Sequence, residues 1–145
     1  MQPQRAQSSQ RRERNRKGHL CNGLNLENAI LFLKGGLAKE SLDPYQEAGI
    51  IQSFEFTFEL SWKTLKDFLE SMGTNVVFAR DAIKEAFTAQ IIKNGHLWIE
   101  MLEKINILSH TYNRQQATDA VHLIRNHYFP GLEQVYFELK NRCSD

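Results

Sequence analysis

Two short stretches of the chain carry the side chains best suited to a reaction or a ligand, and the first contains Asn106, His110 and Tyr112. Asn106 and His110 are four residues apart, so on a helix both project from the same side. A histidine titrates near neutral pH and can act as a general acid or base, while an asparagine amide can orient the imidazole ring or bind a phosphate oxygen. The spacing alone is more typical of a histidine at the edge of a hydrophobic core that hydrogen-bonds to a neighbour.

The second stretch is a row of charged side chains at Glu55, Glu59 and Lys63, spaced for one side of a helix. Two carboxylates and a lysine can hold a metal ion or a nucleotide. Such a row is more often a solvated helix face that contains one Glu59–Lys63 ion pair. The sequence has no glycine-rich phosphate loop, nucleophile elbow or Glu-x-x-His motif, so its motifs identify no self-sufficient enzyme.

The composition indicates one globular domain. The 145 residues are 41% hydrophobic and 24% charged, which is ordinary for a chain that buries a core. Cys21 and Cys143 match no disulfide framework or zinc-binding spacing, which favours a reducing, cytoplasmic location. The apolar runs are far shorter than the roughly 20 residues of a membrane-spanning helix.

Residues 1–23 are expected to form a flexible basic arm before a domain that covers residues 24–145. Within residues 1–20, six basic residues and one acidic residue give a local charge of +5, in a chain whose net charge is +1. Such an arm can contact nucleic-acid phosphates or be a plain disordered extension. The remainder of the chain is mildly acidic, which is not typical of a general nucleic-acid binder.

Apolar residues after residue 24 recur at helical spacings of three and four, which predicts an all-α domain. We expect long helices over about 25–40, from Pro44 to Gly73, over 96–112 and over 115–141, with a short helix over 80–90 on the crossover. Phe87 is expected to face inward, and Pro130 to kink the last helix. This is the pattern of an up-and-down four-helix bundle.

Two helices carry apolar residues beyond those needed for the core. Phe56 and Leu60 are expected to point away from the buried side of the second helix, as are Ile99 and Ile107 on the fourth. A second apolar surface on a small bundle usually meets a partner, most often an identical subunit. We therefore predict a homodimer that uses these four residues.

Residues 49–67, with the run Phe-Glu-Phe-Thr-Phe-Glu-Leu-Ser-Trp-Lys, and residues 98–113, ending Asn-Ile-Leu-Ser-His-Thr-Tyr-Asn, closely resemble the nucleotidyltransferase substrate-binding-protein family of the HEPN superfamily. The resemblance implies a four-helix bundle, usually homodimeric, made beside a minimal nucleotidyltransferase with polymerase-β-like catalytic aspartates. The chain would lie over the nucleotide site of that partner and bind a nucleotide or another polar, phosphate-bearing ligand. No cofactor would belong to this chain, because the partner would supply the catalytic divalent metal.

The same superfamily contains ribonuclease toxins, which a nucleotidyltransferase antitoxin neutralises. Their motif is an arginine, four residues and then His-x-Tyr, so His110 and Tyr112 match the His-x-Tyr part. Ile105 stands at the arginine position, and Ser53 stands where the family more often has arginine. Because isoleucine cannot bind a phosphate as a guanidinium does, the resemblance favours a non-catalytic binding subunit over a ribonuclease, which stays as the alternative.

Overall fold

A computed structural model describes residues 25–108, 110 and 113–143. Every regular element in these residues is helical, which confirms the predicted all-α class. The helices are α1 over 25–37, α2 over Pro44–Ser71, α3 over Ala79–Thr88, α4 over Gly95–Leu108, α5 over Arg114–Leu123 and α6 over Phe129–Cys143. The up-and-down order of four long helices stays a prediction, and the basic arm of residues 1–23 lies outside the described residues.

The core forms where the predicted apolar sides of the helices meet. Rings from α2 lie at its centre: the Phe54 ring stacks on Tyr128 with centroids 5.5 Å apart, and the Phe58 ring lies 5.8 Å from Trp98. All four side chains are at most 1% exposed. Trp62, which the helical spacing places in this core, is only half-buried. The core therefore joins α2, α4 and the segment between α5 and α6.

Local signals define both ends of α2. The Asp43 carboxylate accepts a hydrogen bond from the Gln46 amide at 2.8 Å, and the Gln46 side chain accepts one from the Asp43 amide at 2.9 Å. This capping box, with proline as the first helical residue, fixes the start. At the other end Gly73 has a φ of +93°, and the Thr74 amide donates to the Leu69 carbonyl at 2.9 Å. The left-handed glycine stops the helix where the sequence predicts it.

The end of α4 differs from the prediction. The helix ends at Leu108 and not near residue 112, and His110 lies in the turn that follows, where its amide donates to the Ile107 carbonyl at 3.2 Å. Asn113 then caps α5, because its side chain accepts a hydrogen bond from the Gln116 amide at 2.8 Å. Asn106 and His110 are therefore not two positions of one continuous helix.

The long last helix is divided by a change of hydrogen bonding, and the kink at Pro130 stays a prediction. Residues Ile124–Tyr128 are π-helical, and the Phe129 amide donates to the Ile124 carbonyl five residues earlier. Because Pro130 has no amide hydrogen, the regular pattern cannot continue through this point. The next residue, Gly131, permits a close approach to α4, since a Cβ atom there would lie 2.7 Å from Cδ2 of Leu97. No helix in the described part of the chain is long and apolar enough to span a membrane.

Candidate functional site

His110, in the turn after α4, lies within electrostatic range of Glu55 in the middle of α2. Burial raises the pKa of Glu55 above its ordinary value of 4.5, and the nearby charge of His110 partly lowers it again. Glu55 is half-buried and His110 is exposed. The two stretches singled out in the sequence thus meet at one place on the surface, which we call the Glu55–His110 site.

Asn106 lies at the same end of α4 and is exposed, so it can take part in binding at this site. Tyr112, the third residue predicted there, is outside the described residues. Ile105, at the position of the expected arginine, is half-buried against the core. A side chain at position 105 therefore reaches solvent in part and is not enclosed by the bundle.

Glu59 and Lys63 form the expected exposed ion pair, with 3.6 Å between the lysine Nζ and the carboxylate. The Trp62 indole also donates to Glu59, at 3.2 Å, and the Lys63 Nζ lies 5.9 Å from the centroid of the Trp62 ring. Lys63 is eight residues beyond Glu55, which is about 12 Å along a helix axis. Of the three members of the row, Glu55 is the one whose pKa, raised by burial, the charge of His110 partly lowers.

A cation that the sequence analysis did not select lies next to this part of α4. Arg80, at the start of α3, pairs with Glu103 of α4 at 3.5 Å. Glu103 is one helical turn before Asn106, so the Arg80 guanidinium lies about one turn of α4 from Asn106. Nothing in the sequence indicates this pairing, because it depends on how α3 packs against α4.

A second missed feature anchors the segment that follows the site. The Glu47 carboxylate on α2 is 4% exposed, accepts a hydrogen bond from the Thr118 hydroxyl at 2.8 Å and lies 3.7 Å from the Arg114 guanidinium. Arg114 also donates to the Leu42 carbonyl at 3.4 Å. This anchor fixes the beginning of α5 on α2, four residues after His110. Spacing could have revealed Glu47, since it precedes Ile50 and Phe54 on the buried side of α2.

The four residues predicted to form a dimer surface are not equally exposed. Phe56 and Ile107 are 63% and 67% exposed, whereas Leu60 and Ile99 are half-buried and pack against the core of their own chain. Only the first two therefore offer a large apolar surface to a partner.

The described residues contain no group of three or more His, Cys, Asp and Glu side chains placed to hold a metal ion. Of the predicted carboxylates, Glu59 is engaged with Lys63 and Trp62, and the pKa of Glu55, raised by burial, is partly lowered by the nearby charge of His110. The arrangement fits hydrogen bonding to a polar ligand.

Comparison with known proteins adds three findings. Residues 22–141 match the family model described as "Nucleotidyltransferase substrate binding protein like". A curated protein of Haemophilus influenzae named "Probable ribonuclease HepT" is 36% identical over 75 residues, which are 48% of this chain and 51% of that protein, so the match spans about half the length of that relative.

The third finding is a crystal structure of a protein from Thermus thermophilus, which superposes with a TM-score of 0.69 at 24% identity, over 83% of this chain and 99% of that one. At this identity the likeness concerns the fold alone. The family model, in contrast, matches residues 22–141, which include both stretches that contribute to the Glu55–His110 site. The chain belongs to the nucleotidyltransferase substrate binding protein-like family.

Proposed function

We propose that this chain is the substrate-binding subunit of a two-component nucleotidyltransferase and pairs with a separate polymerase-β-like catalytic chain. The observation that carries the proposal is the family match over residues 22–141, which contains the meeting point of Glu55 and His110. In this role His110 and Asn106 bind a nucleotide or another phosphate-bearing ligand through ring and amide hydrogen bonds. The partner supplies the catalytic divalent metal.

The surroundings of the site support binding of a polar ligand. His110 and Asn106 are exposed, and Arg80 brings a guanidinium to the adjacent turn of α4 through its 3.5 Å contact with Glu103. A ligand phosphate can compete with Glu103 for this cation, because an arginine binds either anion through the same planar fork. Arg80 therefore offers the positive charge that Ile105 and Ser53 lack.

The test is to purify the tagged chain from its native cell and to assay nucleotide transfer by whatever nucleotidyltransferase accompanies it. We expect His110→Ala and Arg80→Ala to lower transfer by the complex without lowering the melting temperature. Lys39→Ala is the matched control, since Lys39 is an exposed cation on the segment between α1 and α2. Purification without a nucleotidyltransferase, or full transfer by the His110 variant, would contradict the proposal.

The second candidate function is RNA cleavage, which the name of the Haemophilus influenzae relative favours. In this case His110 would act on RNA and the nucleotidyltransferase would be an antitoxin. The assay is cleavage of RNA by the purified chain without a partner. RNA cleavage by the wild type that disappears in His110→Ala would establish ribonuclease activity and favour it over the role of a binding subunit.

Ile105→Arg refines this choice because it restores the cation of the ribonuclease motif. Since Ile105 is half-buried, an arginine there can lie with its stem on the core and its guanidinium in water. We expect the variant to fold. A gain of RNA cleavage would show that the rest of the site is competent, whereas a folded and inactive variant supports the binding subunit.

We also propose that the chain is a homodimer that buries Phe56 and Ile107. Exposed aromatic and large aliphatic side chains are enriched at interfaces between subunits, and both residues are more than 60% exposed in the single chain. Leu60 and Ile99 belong to the edge of the core and contribute less.

A further inference from the structure

A pocket lies between α3 and α4 at the end of the bundle opposite to His110. Its volume is about 370 Å³, and the lining residues that matter here are Ile83, Lys84, Phe87, Lys93, His96 and Ile99. The pocket lies at the first turn of α4, while His110 follows the last turn, and the 14 residues of α4 span about 20 Å. It is therefore a separate place on the molecule, which we call the α3–α4 pocket.

The floor of the α3–α4 pocket is apolar and contains an aromatic ring. Ile83 is buried and Ile99 half-buried, but Phe87, which the sequence analysis expected inside, is 52% exposed. A Cβ atom at position 95 would lie 3.1 Å from Cδ2 of Phe87, so the glycine lets the ring rest against the start of α4. The ring is thereby held in place while half of its surface faces solvent, and it offers a flat platform to a ligand.

The rim of the pocket carries positive charge without negative charge. Lys84 and Lys93 line it together with His96, and no carboxylate is among the lining residues. Neither lysine forms an ion pair with another described residue. Two unneutralised lysines above an apolar floor favour a ligand that carries an anionic group.

The loop that brings Lys93 to the pocket is fixed by α6. The Gln134 side chain donates to the Ile91 carbonyl at 3.0 Å and accepts from the Lys93 amide at 3.4 Å. Arg142 donates to the Ala89 carbonyl at 3.0 Å. Because the backbone on both sides of this loop is held, little ordering is needed when a ligand binds.

We propose that the α3–α4 pocket binds a small molecule in which an aromatic ring carries a phosphate, with a nucleoside monophosphate as the fitting class. The ring packs on Phe87 beside Ile99, and Lys84 and Lys93 donate hydrogen bonds to the phosphate. The volume lies within the roughly 300–1,000 Å³ of small-molecule sites. This inference goes beyond the proposed function and uses no residue of the Glu55–His110 site.

The test is a nuclear magnetic resonance titration of the full chain with adenosine monophosphate, inorganic phosphate and adenosine. We expect the monophosphate to shift the amide signals of Gly95 and His96 and to bind more tightly than either fragment. The double variant Lys84→Ala, Lys93→Ala should bind the monophosphate at least about tenfold more weakly, which is typical for the loss of charge-assisted hydrogen bonds. Lys39→Ala removes one lysine charge outside the pocket and should leave the affinity for the monophosphate unchanged.

Phe87→Ala separates the role of the ring from that of the charges. Phe87→Ala should weaken binding of the monophosphate and leave binding of inorganic phosphate unchanged. The lysines are exposed, so their removal leaves the fold intact, and the paired lysine variant tests the pocket even if Phe87→Ala lowers stability. Inorganic phosphate that binds as tightly as the monophosphate, or signal shifts confined to residues around His110, would overturn the proposal. Neither result bears on the pairing with a nucleotidyltransferase.

Discussion

The anchor between Glu47 and Thr118 is the interaction whose removal has the most predictable cost. Thr118→Val keeps the size and branching of the side chain but removes the hydroxyl that donates to the Glu47 carboxylate at 2.8 Å. Glu47 is 4% exposed, so water cannot easily replace the lost donor. A hydrogen bond to a charged group contributes about 1.5–3 kcal/mol, and we expect the free energy of unfolding to fall by about that amount.

Chemical and thermal unfolding of the wild type, Thr118→Val and Thr118→Ser measure this cost. In a domain of this size the valine variant should melt roughly 4–10 °C lower. Thr118→Ser keeps the hydroxyl and should lose less than about 1 kcal/mol, mainly for the missing methyl group. The reasoning is refuted if the valine variant lies within about 0.5 kcal/mol of the wild type, or if serine and valine cost the same.

The remaining predictions concern the Glu55–His110 site and the dimer. Because burial raises the pKa of Glu55 above its ordinary value of 4.5, the cost of ionising it appears as pH rises above that value. Glu55→Gln should therefore gain stability relative to the wild type as pH rises from acidic toward neutral, and a pH-independent difference in denaturant midpoints contradicts this. His110→Ala and Lys63→Ala should each stay within about 1 kcal/mol of the wild type in urea unfolding, since both positions are exposed, and a larger loss would make the residue structural. Phe56→Glu with Ile107→Lys should sediment as a folded monomer, and the dimer is excluded if the wild type is monomeric at micromolar concentration.

Helix boundaries were predictable wherever a local signal defines them. Asp43 with Pro44 starts α2, Gly73 ends it, and Asn113 starts α5, because capping involves only residues within one turn of each other. The end of α4 at Leu108 has no such signal in the sequence, and there the prediction ran four residues too far.

The buried sides of α1 and α2 were predictable for a related reason. An apolar residue every three or four positions determines which side of a helix is buried, whatever it packs against. The same spacing cannot determine whether a residue at the edge of that side is buried or exposed. Phe87 belongs to this class: its ring lies against Gly95 of the next helix, and half of its surface faces solvent.

The contacts that make up the candidate sites were decided by the tertiary structure. Glu55 and His110 are 55 positions apart and Glu47 and Thr118 are 71 apart, so each pair forms only when α2 lies beside the segment after α4. The sequence spacing predicted that the histidine lies at the edge of the hydrophobic core and that the carboxylates lie along one side of a helix. Which of these side chains come into contact depends on how the helices pack. Consecutive residues of a helix point about 100° apart around its axis, so a small change in how a helix packs gives each side chain different neighbours.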